Sequence, residues 1–339
     1  MQKRFINIGV VGLGRLGYIH AENIAFKIKN ANLFALCDSD DGKLQNAKDQ
    51  LGVGQTYSSI SGMLENKELD AIAIVSPSSL HCDQIKQALE AGYHVFCEKP
   101  LGIGLEDSIR AKKVVDAHPD KVFFLGFMRR YDRSYQYAKR KIDDGEIGEP
   151  ILFRGYSVDP ISTIESTIQY IPHSAGQITD MSVHDIDLAR WFLKSEPKSI
   201  YAIGGCFAYP EFGEFGDGDN VSALMQFENN AMAFLYSGRT APHGYNIETE
   251  IIGTKGTLRI ASVPQKNMVE IFDSGGIRKE CSQSFQERFA DAFVNEMQEF
   301  VDCIVYDRKP EISVDDGVES SKIAELATKS FKTNKLINI

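Results

Sequence analysis

Between residue 5 and about residue 125, short and almost wholly apolar runs alternate with longer stretches in which apolar residues return every three or four positions. FINIGVV (5–11), NLFALC (32–37), DAIAIVS (70–76), YHVFC (93–97) and KVFFLG (121–126) have the near-continuous hydrophobicity of strands covered on both faces. Between them lie amphipathic segments such as SSLHCDQIKQALEAG, with serines placed to cap its start and Gly92 placed to stop it. Strands and helices alternating at this interval predict a doubly wound α/β parallel sheet.

Beyond about residue 126 the period changes. Helices are expected over about 132–144 and 178–194. They are followed by runs at hairpin spacing: KSIYAIGGCFAY, NVSALMQFE, AMAFLYSGR, NIETEIIG, GTLRIAS and MVEIFDS. Asn229 and Asn230 stand where a tight turn would join two of them. Two helical stretches, FQERFADAFVNEMQEFVDCIV and DDGVESSKIAELATKSFK, close the chain. The pattern predicts a nucleotide-binding domain over 1–125 and an α+β domain with a large, mostly antiparallel sheet over 126–339. The C-terminal helical segment is a candidate to pack back on the first domain.

A length of 339 residues accommodates two cores, and 43% hydrophobic with 25% charged residues is ordinary for a globular protein. The formal net charge of −10, with no basic run, argues against a nucleic-acid partner. No stretch approaches the ~20 apolar residues of a membrane span. Six scattered cysteines, without a CxxC pair or a His-rich segment, suggest buried thiols in the cytoplasm and no metal site.

Chemistry enters with GLGRLG (12–17), which follows the first strand and opens the first helix. Gly12 allows the tight turn, Gly14 lets a pyrophosphate approach the backbone, and Gly17 lets helix and strand pack closely; Arg15 and Leu16 complete the loop. A dinucleotide's phosphates would sit at that helix N-terminus. Asp38 ends the second strand, 21 residues after Gly17, where a carboxylate accepts from both ribose hydroxyls; the alternative is that it caps the next helix. With Asp38, Asp40 and Asp41 together and no nearby arginine for a 2′-phosphate, the expected cofactor is NAD and not NADP.

Ser76 and Pro77 end the third strand at the edge where open α/β sheets bind ligands, with His81 a minor candidate behind them. Glu98, Lys99 and Pro100 end the next strand at the same edge, aimed by the topology at the cofactor crevice. A plain strand end with an exposed ion pair is the competing explanation. In TDMSVHDIDLARW (179–191), Asp180, His184 and Asp187 fall at i, i+4 and i+7, within a strip of roughly 60° on an ideal helix. Asp185 falls toward the apolar side, where no role is evident. A solvated helix face is the bland interpretation of that strip. Behind a dinucleotide fold it is also what alcohol oxidation requires: a histidine base and a carboxylate to orient it, with a lysine at the developing alkoxide. His20, His94, His118, His173 and His243 lack such a partner and are expected to be structural or exposed.

GVVGLGRLG, Asp38, SPSSLH, HVFCEKPL and TDMSVHDIDLARW together resemble the glucose-fructose oxidoreductase/inositol dehydrogenase/MocA family over essentially the whole chain. GFMRRYD (126–132), YSVDP (156–160), SGRTAPHGYNIETEIIGTKGTL (237–258) and FQERFADAF (285–293) make it most similar to the inositol 2-dehydrogenases. The resemblance implies that Lys99, Asp180 and His184 are catalytic. It also implies that Arg129, Asp159 and Tyr245 contact substrate, and that a homotetramer forms through the open sheet face. The expected activity is NAD-dependent oxidation of a cyclic polyol. An aldose or amino-sugar dehydrogenase, and a non-catalytic NAD-binding sensor or repressor, are the alternatives.

Overall fold

The computed structural model describes residues 5–171, 174–261 and 264–339. The chain divides into two compact units, one of Met1–Tyr131 with Asp291–Glu319 and one of Asp132–Ala290 with Ser320–Ile339.

In the first unit, β1 (Ile6–Val11), β2 (Ala31–Cys37), β3 (Gln55–Tyr57), β4 (Ala71–Ile74), β5 (His94–Glu98) and β6 (Phe123–Gly126) form one parallel sheet in the order β3-β2-β1-β4-β5-β6. That order reverses direction at β1, the switch point where dinucleotides bind in doubly wound sheets. The apolar runs are strands for the expected reason: all four residues of β4 and four of the five in β5 are buried. Gln55–Tyr57 is too short and polar to register as a strand in the pattern.

Gly92 follows the helix Ser78–Glu90 with φ +91°, a left-handed conformation that ends it. The helix start corrects an expectation. Pro77 occupies the cap position with no side-chain cap bond, and the Ser76 hydroxyl donates to Gln84 Oε1 at 2.6 Å. Ser78 and Ser79 already lie within the first turn.

The second unit holds β7 (Pro150–Pro160), β8 (Pro197–Gly205), β9 (Asn220–Phe227), β10 (Met232–Ala241), β11 (Asn246–Gly253), β12 (Thr257–Ile260), a separate hairpin of β13 (Gln265–Asp273) with β14 (Gly276–Cys281), and β15 (Ile337–Asn338). The large sheet runs β12-β11-β7-β10-β9-β8-β15 and is antiparallel throughout except for the β7–β10 pair. Asn230, at φ +65°, turns the chain between β9 and β10 as the double asparagine suggested. β7, central in this sheet, is legible only as a motif in the sequence, since prolines bound it and its core-facing positions include Gly155 and Ser157 in place of large apolar residues.

Those small residues have a cause. Asp185, on the helix Val183–Leu193, lies over them: a Cβ at Gly155 would stand 2.7 Å from its Oδ1, and the Ser157 hydroxyl donates to its Oδ2 at 2.5 Å. The aspartate without an evident role is therefore an anchor between helix and sheet. Among the described residues no helix is long and apolar enough to cross a membrane. Of the cysteines, Cys37, Cys82, Cys97 and Cys303 are buried, whereas Cys206 is exposed and Cys281 partly so, against the expectation for all six.

Candidate functional site

In the first unit the predicted cofactor residues are joined by a chain of close contacts. Gly12 has φ +92°, and a Cβ there would meet the Ser76 backbone at 2.7 Å, so only glycine lets the loop pass β4. A Cβ on Gly17 would stand 1.9 Å from Gly12 O. A Cβ on Gly14 would meet nothing within 4 Å, and Gly14 caps the helix Arg15–Phe26 without a side-chain bond. The result is a cradle with an open face and unclaimed helix N–H groups, which fits a dinucleotide's pyrophosphate.

Asp38 reaches across this loop: Leu13 N donates to its Oδ2 at 2.6 Å and Asp40 N to its Oδ1 at 2.9 Å. The capping alternative fails, because Asp40 is the residue that caps the helix Asp41–Leu51, accepting from Gly42 N and Lys43 N. His81 is buried and spans Ser76 O at 2.8 Å and Pro100 O at 2.6 Å. Burial pushes its pKa below the ordinary histidine value, although the two carbonyls and Glu98 pull the other way. The ring thus lies between two backbone carbonyls, and as a neutral imidazole it donates its single N–H to one of them at a time, linking the end of β4 to the cis Lys99–Pro100 peptide.

Lys99 itself is half-buried. Glu98, expected at the cofactor edge, is instead turned into the core, 4% exposed, with its carboxylate 2.9 Å from His20 Nε2. The strand's alternation puts Glu98 on the same face as the buried Phe96, whereas Lys99 lies beyond the strand's end in a bend. Arg129 is buried in the short 3₁₀ turn Met128–Tyr131 of the same unit.

In the second unit the helical strip departs from the ideal wheel. Ile178–Ser182 forms a π-helical turn, and the α-helix begins only at Val183. Such turns widen a helix locally and recur at functional sites. His184, Asp185 and Asp187 are 6%, 1% and 1% exposed, so the strip is not a solvated face. Its carboxylate is held by a residue the pattern did not reveal. Arg239, 7% exposed, donates from Nη2 to Asp180 Oδ2 at 2.9 Å, from Nε to Gln177 Oε1 at 2.8 Å, and from Nη1 to Asp159 Oδ2. Burial would lower the guanidinium's pKa, but Asp159 and Asp180 outweigh it and hold the group above its ordinary value.

Asp159 and Asp180, 21 residues apart, are brought to one cation. Arg239's signal was present but unread: it is the lone cation at the end of the apolar strand AMAFLYSGR. Tyr245 is buried edge-on to Phe289. Arg288 of FQERFADAF pairs with Asp132 of GFMRRYD at 2.7 Å, joining two stretches that carried the family likeness. His20 is fully buried. His173 lies outside the described residues.

A doubly wound parallel sheet with a glycine loop opening a helix at its switch point is the architecture of a dinucleotide-binding domain. Residues 6–127 match the oxidoreductase family with an NAD-binding Rossmann fold, and residues 135–259 match the GFO/IDH/MocA C-terminal domain. The chain is 33% identical over 334 residues to scyllo-inositol 2-dehydrogenase (NAD(+)) of Bacillus subtilis (strain 168), covering 98% of this chain and 96% of that protein. It is 31% identical to myo-inositol 2-dehydrogenase of Thermotoga maritima, covering 98% of each. The crystal structure of scyllo-inositol dehydrogenase from Lactobacillus casei, with bound NAD(H) and scyllo-inositol, is 45% identical with a TM-score of 0.95 over 99% of each chain. The protein belongs to the GFO/IDH/MocA family. It is an NAD-dependent dehydrogenase acting on CH–OH, similar to the inositol 2-dehydrogenases.

Proposed function

We propose that this enzyme oxidises one secondary hydroxyl of a cyclic polyol, scyllo- or myo-inositol, to the ketone. The observation that carries this reading is a buried histidine set one turn after an aspartate that a buried arginine clamps, in a region matching the family's C-terminal domain. The names of the relatives support the substrate class.

His184 takes the hydroxyl proton and Asp180 orients the imidazole. Lys99 donates to the reacting oxygen and stabilises the negative charge that develops there. When bound, NAD supplies the acceptor for the hydride that leaves the carbinol carbon. Gly12, Gly14, Arg15, Leu16 and Gly17 cradle the pyrophosphate, Asp38 accepts from the adenosine ribose, and Ser76 and Pro77 line the cofactor edge. Arg129, Asp159 and Tyr245 contact the polyol's remaining hydroxyls. The enzyme works as a homotetramer joined through the outer face of the seven-stranded sheet, where Ile203, Leu224 and Met232 are 51%, 58% and 50% exposed. Light scattering that finds a stable monomer at micromolar concentration would remove the assembly.

The decisive experiment is spectrophotometric NAD reduction with myo-, scyllo- and chiro-inositol, glucose and galactose, in wild type and in His184→Ala. Turnover is expected with an inositol, and His184→Ala should lower kcat by about 10²- to 10⁴-fold with NAD binding unchanged. kcat/KM for oxidation should rise with pH as His184 loses its proton, and the variant should lose that limb. A variant that keeps a tenth of wild-type kcat and the same limb would move the base elsewhere.

A further inference from the structure

Beneath the cofactor edge, the first unit buries three titratable side chains that the reaction above does not use. His20 comes from the helix opened by the glycine loop, Glu98 from the end of β5, and Glu296 from the helix Ala290–Val305. Their polar atoms lie within 4.8 Å of one another. His20 Nε2 is 2.9 Å from Glu98 Oε1 and 3.8 Å from Glu296 Oε1. His20 and Glu296 are fully buried, and the ring of His20 sits between Phe96 at 5.1 Å and Phe293 at 5.6 Å.

Two ionised carboxylates cannot share such a site without a cation to offset them. Among the described residues the ion-pair partner of Glu98 and of Glu296 is His20 alone. Its Nδ1 has no hydrogen-bond partner, which fits the tautomer that carries the hydrogen on Nε2 and donates it to Glu98. Neither oxygen of Glu296 receives a hydrogen bond. A proton on Glu296 resolves both difficulties: it removes the second charge and turns an unsatisfied acceptor into a donor toward Glu98. Burial, and then the neighbouring Glu98, push the Glu296 pKa well above the ordinary glutamate value. The other titratable group facing it is the Tyr131 hydroxyl, itself raised by burial and by Glu296.

We propose that Glu296 is a positioning residue, held as a neutral acid, that donates a hydrogen bond to Glu98 and so fixes the segment carrying Lys99. With His20 as second donor, the Glu98 carboxylate is gripped from the helix that bears the phosphate cradle and from the helix Ala290–Val305. The backbone that follows it is Lys99–Pro100. The inference rests on the reading of Lys99 as the group at the reacting oxygen.

Glu296→Gln keeps a neutral donor and should hold kcat within about threefold of wild type, whereas Glu296→Met removes the donor and should lower it at least about tenfold through misplaced Lys99. In the full-length enzyme at pH 7.5, the infrared difference between wild type and Glu296→Gln should contain the C=O band of a protonated carboxyl. Stability supplies a third readout. Between the ordinary glutamate pKa and the raised one, the folded protein holds one more proton than the unfolded chain, so wild-type stability falls as pH rises. Its unfolding constant should grow about tenfold per pH unit relative to Glu296→Gln, so the melting-temperature difference between the two widens toward alkaline pH.

No carboxyl band, a Glu296→Gln variant as impaired as Glu296→Met, or a stoichiometric divalent metal lost on Glu296→Gln would each overturn the proposal. If Glu296→Met does not fold, the band and the pH-dependent stability of Glu296→Gln decide alone. A Lys99→Met enzyme with wild-type turnover would break the reading of Lys99 while leaving both of those results intact.

Discussion

Arg239 in the second unit stands between Asp159 and Asp180 and donates to both, so one buried guanidinium offsets two carboxylates. Glu98 and Glu296 in the first unit lie within 4.8 Å of each other, and among the described residues their ion-pair partner is the His20 imidazole. The difference follows from depth. Asp159 and Asp180 keep 22% and 34% side-chain exposure, so water shares in stabilising them. Glu296 has no exposure at all, and there a proton neutralises it at less cost than a second buried ion pair would. A third buried carboxylate, Asp185, takes a hydroxyl donor from Ser157.

The most forceful way to break this comparison is Arg239→Met. It should lower stability by about 3 kcal/mol, read by chemical denaturation, and kcat by about 10²-fold, because two acids are left without their cation. Adding Asp159→Asn should recover part of the stability, making the pair less than additive. Strict additivity would mean that Arg239 and Asp159 act independently. Ser157→Ala should remove about 2 kcal/mol by leaving the buried Asp185 oxygen without its donor, with KM for NAD unchanged. An unaltered melting temperature would strip Asp185 of its anchoring role.

Smaller effects separate two acids of the first unit that are two residues apart in sequence and unlike in position. NAD should exceed NADP by at least about 10-fold in kcat/KM, about 1.4 kcal/mol, and Asp38→Ala should erase most of that preference. Equal use of both cofactors by wild type would overturn the role of Asp38. Asp40→Ala should cost about 1 kcal/mol of stability through its lost helix cap and leave cofactor preference alone.

Much of the first unit was readable because its determinants are local. A glycine turn, an apolar run and an acid at a strand end act over a few residues, and β1, β2, β4, β5 and the Gly12–Gly17 loop follow from them. The helix bearing His184 was visible by its period, but the π-turn that carries Asp180 was not, because an apolar wheel cannot register one extra residue per turn. β7 escaped because its core face is shaped by Asp185, which lies 28 residues away in sequence.

Sequence by itself thus determined the doubly wound parallel sheet followed by a large, mostly antiparallel one, the NAD cofactor and the dehydrogenase class. Tertiary structure alone decided which acids carry which partners. It turned Glu98 inward to meet His20 and Glu296, joined Asp159 to Asp180 through Arg239, and gave the helix cap to Asp40. Backbone patterns propagate through neighbours along the chain. The charge state and partner of a buried side chain depend on which distant groups share its low-dielectric surroundings, and no spacing rule along one strand or helix encodes that.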